Sequence, residues 1–258
     1  MAGDALARLL HDIVRHDTAH GGQGVPAVVS LLIDRLAELC FTVRVIAPDS
    51  AAPVLVARRH TRGDCCHVVM YNHYDTEPAS TAWTVPPLAM TTINGRWAGL
   101  GITDNKGALA ARLVALDHDG PTPEITWLIQ GEEECGSGVL RRFLDSEPLP
   151  PANLWLDENG WDDESGQQMA LLLGDERLLG TLCDEVHIQR RVLDKRLVPG
   201  GCAFQAARPG TTAYLALGVN DHRCRIHAPD ESLDPTRLKR HVRQLRALFA
   251  HLAKGLRA

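Results

Sequence analysis

Acids and histidines fall in five short clusters along this chain, four of them directly behind apolar runs. The first is Asn72-His73-Tyr74-Asp75-Thr76-Glu77-Pro78, after His67–Tyr71. A His-x-Asp pair can be a metal ligand plus the carboxylate that decides which ring nitrogen faces the ion. It can equally be a structural hydrogen bond. The second cluster, Gly99-Leu100-Gly101-Ile102-Thr103-Asp104-Asn105-Lys106-Gly107, has neither dinucleotide-fingerprint nor Walker A spacing. Asp104 at its helix entrance suits a ligand or an N-cap. The third is Gln130-Gly131-Glu132-Glu133-Glu134-Cys135-Gly136-Ser137-Gly138. Three adjacent carboxylates at the end of a buried strand repel one another unless a cation is present; a solvated acidic turn is the alternative. Neighbouring side chains point in different directions, so Glu133 and Glu134 can divide proton transfer and metal binding between them. Leu154-Trp155-Leu156-Asp157-Glu158-Asn159-Gly160 and Arg225-Ile226-His227-Ala228-Pro229-Asp230-Glu231 complete the set. Two histidines and three acids at strand ends are the inventory of a two-metal hydrolytic site. The N/O donor set suits zinc, with cobalt or manganese as substitutes.

Such clusters need a scaffold that brings strand ends together. Apolar periodicity predicts helices over 5–16, 26–40, 106–116 and 139–144, and one long amphipathic helix from Asp234. β-type runs fall at 42–47, 54–58, 67–71, 124–130, 153–156, 168–173 and 212–217, whereas 176–193 is ambiguous and 78–97 reads as a Pro-rich polar stretch. The run 67–71 is nearly all apolar, as in a strand covered on both faces. Alternating strands and helices predict an α/β fold, a three-layer αβα sandwich with a mostly parallel mixed sheet. In such sheets, sites form beyond the carboxyl ends of the strands.

The chain has 258 residues, 45% hydrophobic and 23% charged, which excludes disorder and fibrous classes. A net charge of −5 offers no basic field for nucleic acid or an anionic membrane. No apolar run approaches the ~18 residues that span a bilayer. The seven cysteines contain no Cys-x-x-Cys pair and fit free thiols in a reducing cytosol. The expectation is a soluble, cytoplasmic protein. Cys135 reads as a packing residue and the five tryptophans as core or rim. Lys239, Arg240, Arg243, Arg246 and Lys254 read as the solvated face of the last helix, and His11, His16 and His20 as solvated.

Taken together and in this order, the motifs from about Leu6 to about Leu233 resemble the co-catalytic zinc peptidase and amidohydrolase family. That family includes carboxypeptidase G, acetylornithine deacetylase, succinyl-diaminopimelate desuccinylase, aminoacylase-1 and carnosine-type dipeptidases. Asn72–Pro78 with Trp83 and Pro87, Gly131–Ser137 and Ile226–Glu231 resemble the dipeptidase-like branch most. The resemblance implies two zinc ions: His73 and Glu158 on the first, Glu134 and His227 on the second, and Asp104 bridging both. Asp75 would orient His73, and Asp157 is the fallback for Glu158. Glu133 would act as general base, taking a proton from water and passing it to the leaving amine of a small N-acyl amino acid or short peptide.

Family members usually carry an inserted lid of roughly a hundred residues, which mediates dimerisation and holds the substrate carboxylate. Only 68 residues separate Glu158 from His227 here. The chain therefore reads as one catalytic domain over 1–258, with 159–200 a shortened connection in place of the lid, and as a monomer or a dimer through another surface. Leu100 stands where relatives often have Arg, and Gly200-Gly201-Cys202-Ala203-Phe204 replaces a segment that usually carries Thr with an acid. An open cleft would also suit a carrier-bound substrate. A metal-binding partner without hydrolase activity, or amide transfer or cyclisation on the same site, are the alternatives.

Overall fold

The computed structural model describes residues 2–163, 165–192 and 203–255. The chain begins with α1 (Ala2–Val14) and α2 (Val25–Glu38), continues through β1 (Thr42–Ile46), β2 (Val54–Arg59) and β3 (His67–His73), and forms a small hairpin of β4 (Thr91–Ile93) and β5 (Arg96–Ala98). Then come α3 (Lys106–Leu116), β6 (Glu124–Gln130), α4 (Gly138–Ser146), β7 (Leu154–Asp157), β8 (Trp161–Asp162) and β9 (Gln168–Leu173). The last part holds α5 (Glu176–Glu185), β10 (Gln189–Val192), α6 (Ala203–Ala206), β11 (Ala213–Ala216), β12 (Ser232–Leu233) and α7 (Pro235–Leu252).

The main sheet runs β1-β2-β6-β3-β7-β11-β9-β10, with β8 paired to β9. Its central strands β6, β3, β7 and β11 are mutually parallel, so their carboxyl ends emerge on one edge. Alternate residues of each strand supply the two faces. Val68 and Met70 of β3 pack with Leu32 of α2, Leu109 of α3 and Leu245 of α7, whereas Val69 and Tyr71 join Leu140 and Phe143 of α4 and Phe204 of α6. Helices therefore cover both faces, and the three layers follow from the pattern of apolar runs. Asp234 caps α7 by accepting from the Thr236 amide at 2.8 Å.

Three differences from the sequence reading have simple causes. The polar stretch 78–97 conceals β4 and β5, three residues each, joined by Asn94-Gly95 with φ of 49° and 77°. A two-residue turn with both residues left-handed is the Asn-Gly signal of a tight hairpin, and these strands were too short to show an alternation. The ambiguous 176–193 segment resolves into α5, capped by Asp175, and β10. The last helix is less solvated than its charges suggest: Arg240 pairs with Asp162 at 2.9 Å, and Arg246 donates to the Val114 carbonyl at 3.0 Å. Residues 200–202 of the Gly-Gly-Cys segment lie outside the described residues; Ala203 and Phe204 start α6.

Candidate metal centre

The four parallel strands deliver the site. His73 ends β3, Glu158 follows β7, and Glu133 and Glu134 follow β6; Asp104 precedes α3, and His227 lies in the loop between β11 and β12. Asp104 stands between the two histidines. Its Oδ1 lies 3.0 Å from His73 Nε2 and its Oδ2 lies 3.4 Å from His227 Nε2. The capping alternative is not realised, because Asn105 stands at the N-cap of α3 and no side chain caps it. On the far side, His227 Nε2 also meets Glu134 at 3.0 Å. Ligand atoms of His73, Glu133 and Glu134 fall within 4.8 Å of one another, as do those of Glu77, Glu134 and His227.

The buried Asp75 is held by two partners. Its Oδ1 meets His73 Nδ1 at 3.2 Å, which turns Nε2 towards Asp104, and its Oδ2 accepts from the Glu134 amide at 3.0 Å. The neighbours Asp157 and Glu158 separate by environment. Asp157 is occupied, accepting from the Glu158 amide at 2.7 Å and from the Tyr214 hydroxyl at 2.5 Å. Among the described residues, the Glu158 carboxylate has the Asn159 side chain at 3.2 Å as its one hydrogen-bond donor, and it lies in the fields of Asp157, Asp104 and His73. The turn that carries it needs two glycines, since a Cβ on Gly160 would sit 2.4 Å from the Gly218 nitrogen and one on Gly218 would sit 2.3 Å from the Glu158 carbonyl.

The electrostatics are those of a negative cluster. Burial, then the charges of Asp157 and Asp104, push the Glu158 carboxyl well above the ordinary range. Burial, then Asp104, pushes Glu134 up to about 7, and burial also raises Glu133. Burial opposes ionisation of Asp104, yet hydrogen bonds from His227 and His73 hold it well below the usual range. His227 is raised to about 9, first by its hydrogen bond to Asp104, and His73 is raised by Asp104 and Asp75 despite its burial. Among the described residues, the cationic partners within 4.0 Å of these carboxylates are the two histidines, with no Lys or Arg among them. A divalent cation reverses each of these penalties, so this N/O donor set fits one.

Three residues outside the predicted ligand set, Arg112, Asn72 and Glu231, shape the centre. Arg112, fully buried in α3, donates to the carbonyls of Tyr71 and Asp157 (the latter at 2.7 Å) and to Asn72 Oδ1 at 2.8 Å. It thereby ties the ends of β3 and β7 to the helix. Asn72 also accepts from Trp127 Nε1 at 3.1 Å and donates to Asn105 Oδ1 at 2.5 Å. An arginine inside the otherwise apolar Ala-Leu-Ala-Ala-Arg-Leu-Val-Ala-Leu run was the available signal. Glu231, 3% exposed, receives the amides of Gly101 at 2.8 Å, Thr103 at 2.7 Å and Asp104 at 3.0 Å. Cys135 is exposed, so the packing role expected for it does not hold; it sits on the outer bend of the acidic turn. The mouth is lined by Glu77, Trp83, Leu100, Asp104, Glu134 and His227. A larger cavity of about 500 Å³ lies between α2 and the turn before β2, but no ionisable side chain lines it.

The sequence profile of peptidase family M20/M25/M40 matches residues 69–251, well over half of the chain and all of the clusters described above. The chain belongs to this family. Human Beta-Ala-His dipeptidase is 35% identical over 95 residues, 34% of this chain and 18% of that protein. Succinyl-diaminopimelate desuccinylase of Rhodospirillum centenum is 33% identical over 171 residues, 62% of this chain and 36% of the relative. The chain thus matches well under two thirds of the length of these curated relatives. The fold is that of a solved M20 family metallo-carboxypeptidase from Sulfolobus solfataricus, with a TM-score of 0.73 at 13% identity, covering 96% of this chain and 99% of that one. Among the described residues, no helix is long and apolar enough to cross a membrane.

Proposed function

We propose that this chain hydrolyses an amide or peptide bond of a short peptide or small N-acyl amino acid at a dinuclear metal centre. The observation that carries this reading is Asp104, whose two oxygens face His73 and His227 separately while Glu158 and Glu134 flank the two sides. His73, Asp104 and Glu158 would hold one divalent ion, and Asp104, Glu134 and His227 the other; zinc fits the donors best. When bound, such ions polarise the scissile carbonyl and make water more acidic. Glu133, raised by burial and within 4.8 Å of His73 and Glu134, takes the proton of the attacking water and returns it to the leaving amine. Asp75 keeps His73 in the tautomer that presents Nε2.

In this reading residues 1–258 act as a catalytic domain. The stretch between Glu158 and His227 carries β9, β10 and β11, all of them strands of the main sheet, where relatives insert a lid. The test is zinc content by elemental analysis of wild type and Glu134→Ala, together with amine release from dipeptides and N-acyl amino acids. Two equivalents in the wild type, falling to one or fewer in the variant, with wild-type turnover, are the expected results. Protein that takes up no zinc on reconstitution would overturn the hydrolase reading and leave a binding partner.

A further inference from the structure

The outer half of the centre is built on two loops outside the main sheet, whose flanking strands β5 and β12 pair through Ala98 with Ser232 and Trp97 with Leu233. Asp104 lies on the loop before α3 and His227 on the loop before β12, 123 positions apart in the sequence. One side chain joins them. Glu231 belongs to the His227 loop, yet its carboxylate lies inside the Asp104 loop: Oε1 accepts from the Thr103 and Asp104 amides at 2.7 and 3.0 Å, and Oε2 accepts from the Gly101 amide at 2.8 Å. Its own carbonyl accepts from the Gly99 amide at 3.1 Å. Charge-assisted bonds of this kind, made out of water, are about twice as strong as neutral ones.

The His227 loop needs such a hold. Arg225, His227 and Asp230 have φ of 56°, 58° and 59°, left-handed backbone that is costly for non-glycine residues and persists only where the surroundings impose it. Asp221 fixes the start of the loop through Arg96, at 2.9 and 3.1 Å, and Asp230 accepts from the Thr84 amide and hydroxyl at 2.8 and 2.9 Å. Those anchors lead to the small sheet and to the surface. Glu231 alone among them leads to another predicted ligand.

We propose that Glu231 is a positioning residue that sets the Asp104 and His227 loops in register, so that the outer metal half-site forms only when both loops are clamped. The proposal rests on the two-metal reading above. The inner half-site has one clamped ligand, Asp104, beside His73 on β3 and Glu158 just beyond β7, whereas the outer one has two, Asp104 and His227, so the two half-sites should respond unequally to its loss.

The test is calorimetric titration of the metal-free full chain with zinc, for wild type, Glu231→Ala and Glu231→Gln, with circular dichroism melts of each. Wild type should bind two equivalents. Glu231→Ala should keep one tight equivalent and lose about 10- to 100-fold in affinity for the other, the usual cost of removing a partner that orients a ligand. Glu231→Gln can keep the Oε1 contacts to Thr103 and Asp104 while presenting an amide to the Gly101 N–H, so it should fall between. If Glu231→Ala fails to fold, the Gln variant decides on the same criterion. Two equivalents bound by a folded variant as tightly as by wild type would overturn the clamp and leave the two-metal reading standing. Equal weakening of both equivalents, or unfolding of both variants, would make Glu231 a general loop staple and also overturn it. Wild type that binds fewer than two equivalents would instead overturn the reading on which the clamp rests.

Discussion

The two halves of the proposed metal centre are built differently. His73 and Glu158 stand at the ends of β3 and β7, which pair in parallel, and both are at most 5% exposed. Glu134 and His227 stand on a turn and a loop, and the His227 side chain is 49% exposed. The inner half takes its geometry from the sheet ladder and from Arg112 beneath it. The outer half takes its geometry from hydrogen bonds between loops, Glu231 foremost. Backbone held by a ladder is fixed by many cooperating bonds, whereas a loop is only as fixed as its few anchors.

The largest expected effect would break the comparison, because in the proposed mechanism Glu133 serves both halves and holds neither. Glu133→Gln should lower kcat by about 10²- to 10⁴-fold, the usual contribution of a general base, with zinc content by elemental analysis unchanged. Loss of metal in this variant would make Glu133 a ligand.

The next effect separates the halves directly. His73→Ala leaves a cavity and strips the buried Asp75 of one of its two partners, and should destabilise the metal-free protein by about 3 kcal/mol in urea unfolding. His227→Ala removes a half-exposed side chain and should cost less than about 1 kcal/mol. Equal costs would erase the distinction.

Below the inner half, Arg112→Leu should cost about 2–3 kcal/mol, since the carbonyls of Tyr71 and Asp157 and the Asn72 amide oxygen lose a buried donor. A cost confined to metal binding, with unchanged unfolding, would show that the ladder holds the strand ends without it.

The smallest effect tests the α7 layer that covers this side of the sheet. His241 is fully buried with no hydrogen-bond partner for either ring nitrogen among the described residues; burial, then the charges of Arg112 and Arg240, push it down to about 3. The folded chain then binds fewer protons here than the unfolded one, so this residue costs nothing above about pH 6.5. Below that, stability is progressively lost as pH falls towards 3. His241→Leu should therefore flatten that decline, by about 2 kcal/mol at pH 5 in chemical denaturation. A variant as acid-sensitive as wild type would place the decline in other groups.

Much of the fold was legible because burial writes itself into apolar spacing. The expected helix over 106–116 matches α3 residue for residue, and the runs at 67–71 and 124–130 became β3 and β6. The failures have the same origin. β4, β5 and β12 are two or three residues long and too brief for any period. Cys135 reads as a packing residue because its motif offers no base for a catalytic thiol, but it is exposed on the acidic turn. Arg112 was overlooked because a helix buried all round hides a polar residue whose partners lie on distant strands.

By itself, the sequence picked out the acids and histidines that the fold gathers, and placed several of them at strand ends, since residue type and local period are encoded position by position. It could not choose between Asp157 and Glu158, or between Asp104 as cap and Asp104 between two histidines. Those choices depend on what lies across a parallel ladder or an intervening loop: Tyr214 taking up Asp157, His73 and His227 facing the two oxygens of Asp104, and Glu231 gripping a loop far from it in sequence. Hydrogen bonds between distant segments leave no periodic trace in the chain, and only the folded arrangement fixes their partners.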